Sequence, residues 1–218
     1  MRNIPIFTAE NGMASLILRE IPYSGRAYIL VRAVWNGRGA ALLQECAAFC
    51  RAAGAEQVYA SDEMADLPAV PAYDMLQLVC PANTLPLAEH PAELVPVCAE
   101  TAQTYQTIYN RCFRQLPGAA AYDQKAVQRL IDEHTGWLVR HYGEWAGVVE
   151  TGHQTLEGIG ILPEYRGLGY AAAVTALQPL RTAEIRLKVS DHNEKALRLY
   201  ERLGFQREKT ISRWWLVE

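Results

Sequence analysis

Arg166, Gly167 and Gly169 stand between an apolar run ended by Pro163 and an alanine-rich segment, in the stretch ILPEYRGLGYAAA. A turn of this kind between a strand and a helix presents the first N–H groups of the helix. These lack intrahelical acceptors and have the positive end of the helix dipole behind them, so they bind anions, phosphate above all. Glycine admits a positive φ and lets a phosphate approach the backbone. An arginine adds a permanent charge and planar donors that suit a pyrophosphate. The chemistry on offer is therefore a phosphate cradle, and three patterns compete for it. A P-loop requires Lys and then Ser or Thr after the last glycine, and neither is present. A dinucleotide-binding (NAD) fingerprint reads Gly167, Gly169 and Ala172 as G-x-G-x-x-A, with Asp191 about twenty residues further on. Against it, PEYR separates the glycines from the strand, and the strands before the motif read as antiparallel rather than alternating with helices.

The third pattern reads Arg166-x-x-Gly169-x-Ala171 after a strand that ends at Pro163. Beyond one helix-like and one strand-like segment, NEKALRLYERLGF carries Asn193, Ala196, Tyr200, Gly204 and Phe205. In this order and spacing the two motifs resemble those of the GCN5-related N-acetyltransferase (GNAT) family. These are its acetyl-CoA pyrophosphate loop, R/Q-x-x-G-x-G/A, and its N-x-x-A-x-x-x-Y segment ending in G-F. The resemblance covers roughly residues 93 to 218. It implies an α/β acyl-CoA N-acyltransferase fold on a mixed sheet, with acetyl-CoA (coenzyme A) as cofactor. The implied reaction is direct transfer of acetyl to a primary amine of a small molecule or peptide. A CoA-binding sensor, or a catalytically silent interaction protein that kept the cradle, fits the same motifs.

The resemblance also assigns residues. The pyrophosphate falls to the amides of Leu168, Gly169, Tyr170 and Ala171, with Arg166 and Gly167 alongside. The pantetheine arm falls to Gly160, Ile161 and Leu162, in a wedge between their strand and EIRLKVS, with Asn193 touching the arm. Gly158 and Gly160 leave room for a ligand, or mark a β-bulge. Tyr200 matches the tyrosine that often gives the departing thiolate its proton, a task that suits a phenol. It equally fits the apolar helix face formed with Ala196, Leu199 and Leu203. Glu157 stands where many members carry a carboxylate acting through water, and equally fits a charge facing solvent. His141 and His153 read as surface histidines. Asn193 lies between Asp191 and Glu194, which have capping-box spacing, so it also fits a helix start.

The elements that must position these groups are legible as periodicity. ASLILREIPY and RAYILVRAVW read as a hairpin through YSGR, GRGAALLQECAAFCRAAG as a helix, and EQVYAS and YDMLQLVC as strands. Residues 62–72 read as a loop, and Pro81, Pro86 and Pro91 mark the best linker. AELVPVC is a short strand. AETAQTYQTIYNRCFRQL and YDQKAVQRLIDEH are helices, the second ended by Gly136. GWLVRHYG, EWAGVVETG and TLEGIGIL are strands, GYAAAVTALQPL and NEKALRLYERLG helices, EIRLKVS a strand, and FQREKTISRWWLVE a final strand pair. A faint repeat is visible: Gly37 and Gly39 in WNGRGAA precede a helix and a strand, as Gly167 and Gly169 do. The expected organisation is a tandem protein. Residues 1–85 form a partial, degenerate GNAT-like domain without an intact CoA motif, since Asn36 stands where Arg or Gln is wanted, and 92–218 form the acetyltransferase domain.

Composition narrows the partners. With 218 residues, half of them apolar, the chain can bury a sizeable core, and its net charge of -3 does not suggest nucleic acid. No apolar run reaches membrane-spanning length and the first residues lack a signal-peptide core, so a cytoplasmic protein, monomer or homodimer, is expected. The five cysteines show no C-x-x-C spacing. Cys46 and Cys50 lie one helical turn apart without further ligands, so no metal site is expected and both read as core.

Overall fold

A computed structural model describes residues 5–61, 70–87, 90–180 and 184–218. The chain forms two compact units, one comprising Met1–Met75 with Thr210–Glu218 and the other Leu76–Lys209. The units divide within two strands rather than in the proline-rich stretch, because Leu76, Leu78 and Cys80 bury themselves in the core of the second unit. No helix among the described residues is long and apolar enough to cross a membrane.

In the first unit, β1 (Ile6–Ala9), β2 (Gly12–Ile17) and β3 (Arg26–Val34) form an antiparallel sheet, to which β4 (Gln57–Ser61) adds in parallel. The expected turn at YSGR is the short helix α1 (Ile21–Ser24), closed by Gly25 in the left-handed region at φ 69°. Helix α2 (Gly39–Ala52) crosses from β3 to β4 and buries Leu42, Leu43, Cys46, Ala47 and Cys50 against Ala14, Leu16, Ile29 and Val58. Burial pushes the thiols of Cys46 and Cys50 up, to about 12 and about 11, so both are inert core groups.

The second unit begins within β5 (Tyr73–Pro81). There follow β6 (Glu93–Pro96), α3 (Ala102–Phe113), α4 (Gln124–Glu133), β7 (Gly136–His141), β8 (Glu144–Thr151) and β9 (Thr155–Ile161). Then come α5 (Gly169–Leu177), β10 (Glu184–Ser190), α6 (Glu194–Arg202) and β11 (Gln206–Leu216), whose last residues belong to the first unit. Its sheet runs β11-β5-β10-β9-β8-β7-β6. One core lies beneath α5 and α6, with Leu156, Leu177, Leu187 and Tyr200. A second lies beneath α3 and α4, with Tyr105, Val127, Leu130, Leu138 and Val148. Two boundaries differ from the sequence reading. Helix α4 ends at His134, itself left-handed at φ 54°, and Gly136 opens β7. The C-terminal segment is one strand, β11, not a pair, since its polar residues face solvent instead of turning.

The repeat has a structural counterpart. One sequence displacement carries Gly37 onto Gly167, Gly39 onto Gly169, and the parallel pair Arg26–Gln57 onto Leu156–Leu187. From that common point the units diverge. In the first, β3 and β4 stay paired from Arg26–Gln57 through Leu30–Ser61. In the second, β9 and β10 pair only at Thr155–Arg186 and Leu156–Leu187, then part.

Candidate functional site

The parting of β9 from β10 has a local cause. Glu150 pairs with Gly158 and Thr151 with Leu156, which leaves Glu157 as an extra residue, a bulge in β9. Beyond the bulge the backbone alternation is reversed. The Leu162 N–H donates to the Ala146 carbonyl of β8 at 2.9 Å, so Leu162, Gly160 and Gly158 direct their N–H and C=O groups toward β8. Ile159 and Ile161 direct theirs to the opposite edge, where β10 has moved away. An open strand edge of this kind takes an extended chain carrying amide groups.

The open edge leads into the loop. Pro163–Tyr165 form one 3-10 turn, Gly167 adopts φ 103°, and α5 starts at Gly169 with no side-chain cap. The Leu168 N–H makes a long 3.4 Å contact to the Tyr165 carbonyl, and the first full helical bond is Ala172 N–H to the Leu168 carbonyl. Among the described residues the N–H groups of Gly169, Tyr170 and Ala171 therefore have no acceptor. Arg166 is exposed, and its guanidinium engages no partner among the described residues. The Tyr170 ring carries the Arg202 guanidinium 4.8 Å from its centroid, which fixes the helix start against α6. Three free amides, a helix dipole and a free arginine at the end of an open strand edge suit a diphosphate with an amide-bearing tail, as in coenzyme A.

Gly158 and Gly160 have a packing role. A Cβ on Gly160 would lie 2.7 Å from Cβ of Cys112 and 2.9 Å from the Phe113 ring, so α3 rests directly on the β9 backbone. Asn193 is the N-cap of α6, its Oδ1 accepting from the Ala196 N–H at 3.3 Å; Asp191 and Glu194 do not form the cap.

Tyr200 is 6% exposed on the inner face of α6, edge-on to Phe205 at 5.9 Å, in the same core as Leu156 and Leu187. Its hydroxyl has no hydrogen-bond partner among the described residues. Burial pushes the phenol up to about 12, which keeps it a neutral donor through physiological pH. Glu157 is exposed at the bulge and accepts from Thr155 Oγ1 at 2.6 Å. His153 is exposed, and His141 lies edge-on to Tyr165 at 6.2 Å.

The sequence reading missed Glu150. It is 8% exposed on β8, flanked in register by Gly136 of β7 and Gly158 of β9. Its Oε2 accepts a short hydrogen bond from the Tyr122 hydroxyl. Desolvation raises its carboxyl above the usual range, the Tyr122 bond and Arg129 oppose this, and Glu157 and Glu133 reinforce it. Tyr122 is held by α3: Asn110 both accepts from its N–H and donates to its carbonyl, and its ring stacks on Tyr109 at 3.8 Å. The available signal was an acid in the apolar run of β8, on the inward parity of Val148.

Residues 102–205 match the family model described as Acetyltransferase (GNAT) family. No curated protein matches the chain. Among solved structures it is similar to a functionally unknown conserved protein from Staphylococcus epidermidis, at 12% identity and a TM-score of 0.60 over 99% of this chain and 94% of that one. A GCN5-related N-acetyltransferase from Kribbella flavida is similar at 18% identity and a TM-score of 0.53, over 99% of this chain and 89% of that one. A tandem GNAT protein from the clavulanic acid biosynthesis pathway is similar at 15% identity and a TM-score of 0.55, over 95% and 79%. At such identities the likeness is one of fold, and it is consistent with a tandem arrangement. The chain has the GNAT acetyltransferase fold, and its residues 102–205 are similar to the acetyltransferase (GNAT) family model.

Proposed function

We propose that the second unit is an acetyl-CoA-dependent N-acetyltransferase that acts on a primary amine. The observation that carries this reading is the early parting of β9 from β10 beside a helix start with three free amides. Gly169, Tyr170 and Ala171 N–H groups, with Arg166 and the Gly167 turn, hold the pyrophosphate. Ile159 and Ile161 pair with the pantetheine amides; Gly160 and Leu162 shape the strand but spend their backbone groups on β8. The Asn193 Nδ2, left over from capping, faces the arm. Acetyl-CoA, when bound, supplies the activated thioester. As the amine nitrogen bonds to the acetyl carbon and the C–S bond breaks, Tyr200 would give its phenolic proton to the departing thiolate, and Glu157 would take through water the proton that the nitrogen sheds. In the first unit β3 and β4 stay paired where the wedge would open, so its partial, degenerate copy carries no cofactor and serves structure. The acetyltransferase domain in this reading is the second unit, Leu76–Lys209, and the protein works in the cytoplasm.

Release of CoA thiol from acetyl-CoA with a panel of amines tests this. Amine-dependent release is expected, with kcat reduced about a hundredfold in Tyr200→Phe. Binding of acetyl-CoA without release for any amine would leave a CoA-binding sensor.

A further inference from the structure

Glu150 is a buried carboxylate with only half of its hydrogen-bonding capacity used inside the protein. Tyr122 holds Oε2; Oε1 has no hydrogen-bond partner among the described residues. Among the described residues no Lys, Arg or His lies within ion-pair distance; Arg129 of α4 acts from further away. Buried carboxylates are ordinarily paired, because the desolvation cost is otherwise uncompensated. The groups that bear on it from the packed elements are otherwise acidic or neutral: Glu157 of β9, Glu133 of α4, Tyr105 of α3 and Tyr122 itself. Its position is as specific as its chemistry. Glu150 stands opposite Gly158, just past the bulge where β9 leaves β10. A stack of Phe113, Tyr109 and Tyr122 rings walls the same face, with centroids 4.4 and 3.8 Å apart.

We infer that Glu150 and Tyr122 form the seat of the acceptor's ammonium group before reaction, the ammonium then giving one proton to solvent to become the neutral nucleophile, and that the acceptor is an alkylammonium with no carboxylate on the carbon bearing the nitrogen. The free Oε1 supplies the missing ion-pair partner for a cation, and the ring stack lies against the chain that carries it. Glu157 and Glu133 repel a carboxylate placed beside that nitrogen, which disfavours α-amino acids. An arylamine is uncharged at neutral pH and gains nothing from the seat. Glu150 is thus an acceptor-binding residue, distinct from Tyr200 and from the loop that holds the cofactor. This assignment rests on the acetyltransferase reading above.

The test is steady-state thiol release by the full chain at saturating acetyl-CoA, with alkylamines, matched α-amino acids, arylamines and lysine-containing peptides as acceptors. Phenethylamine against phenylalanine is the sharpest pair, since they differ only in the carboxylate. The expected result is turnover confined to alkylammonium acceptors. In Glu150→Gln the amine KM rises about ten- to a hundredfold while kcat changes little. The wild-type amine KM also rises on acidification as Glu150 takes up a proton, a dependence absent in Glu150→Gln. Glu150→Asp, which keeps the charge but withdraws it by a methylene, raises KM as well and guards against a folding defect. Acetyl-CoA binding stays unchanged in both variants. An α-amino acid or arylamine as the best acceptor, an unchanged amine KM in both variants, or no turnover of any amine would overturn the seat. Failure of the wild type to bind acetyl-CoA would overturn the acetyltransferase reading instead.

Discussion

Replacing Glu150 by Gln is expected to stabilise the protein at neutral pH. The folded state holds this carboxyl at 8% exposure with one phenol donor and no cation, and desolvation lifts its titration above the ordinary value of 4.5. The sign follows from linkage. Between the unfolded and the folded titration the folded state binds more protons, so this group's contribution is fully present below pH 4.5 and is lost as pH rises through the raised value. Gln keeps an acceptor for Tyr122 and carries no charge at any pH. Substitutions that relieve such a functional cost commonly gain about 1 kcal/mol. For a chain of this size that is a rise in Tm of about 2–4 °C. The assay is a thermal melt of wild type and variant from pH 4.5 to pH 8. The difference is expected near zero at the acid end and to grow with pH. A variant less stable at pH 8, or a difference that does not vary with pH, would refute the reasoning, since it would mean that the ionised carboxylate is well compensated.

Two further substitutions probe the frame. Arg166→Ala removes an exposed guanidinium that no group among the described residues engages, so Tm should stay within about 1 °C while acetyl-CoA affinity falls about tenfold, read by calorimetric titration. Gly160→Ala places a Cβ 2.7 Å from Cβ of Cys112, so a loss of about 1–3 kcal/mol is expected in urea unfolding.

Much of the site was legible because its chemistry is local. The spacing of Arg166, Gly169 and Ala171, and of Asn193, Ala196 and Tyr200, lies within single turns and helices, where sequence distance fixes spatial distance. What escaped depends on contacts between elements. Glu150 has meaning only beside Tyr122, which another loop delivers, and between two glycines on neighbouring strands. The bulge at Glu157 shifts alternation by one residue, which hands the open edge to Ile159 and Ile161 instead of Gly160 and Leu162. Period alone does not reveal an inserted residue. The glycines of β9 read as room for a ligand, whereas Cys112 and Phe113 occupy that face. The spacing shared by Gly37 and Gly39 with Gly167 and Gly169 was readable. That β3 and β4 stay paired while β9 and β10 part was not, since pairing length is set by the sheet.

The central claim is an acetyl-CoA site between β9 and β10, and a thermal shift with acetyl-CoA against NAD tests it most directly. Acetyl-CoA at about a hundred times its dissociation constant should stabilise by roughly 2.7 kcal/mol, a rise of roughly 5–10 °C, with no response to NAD. A shift with NAD and none with acetyl-CoA would contradict the account and return the glycine turn to the dinucleotide fingerprint.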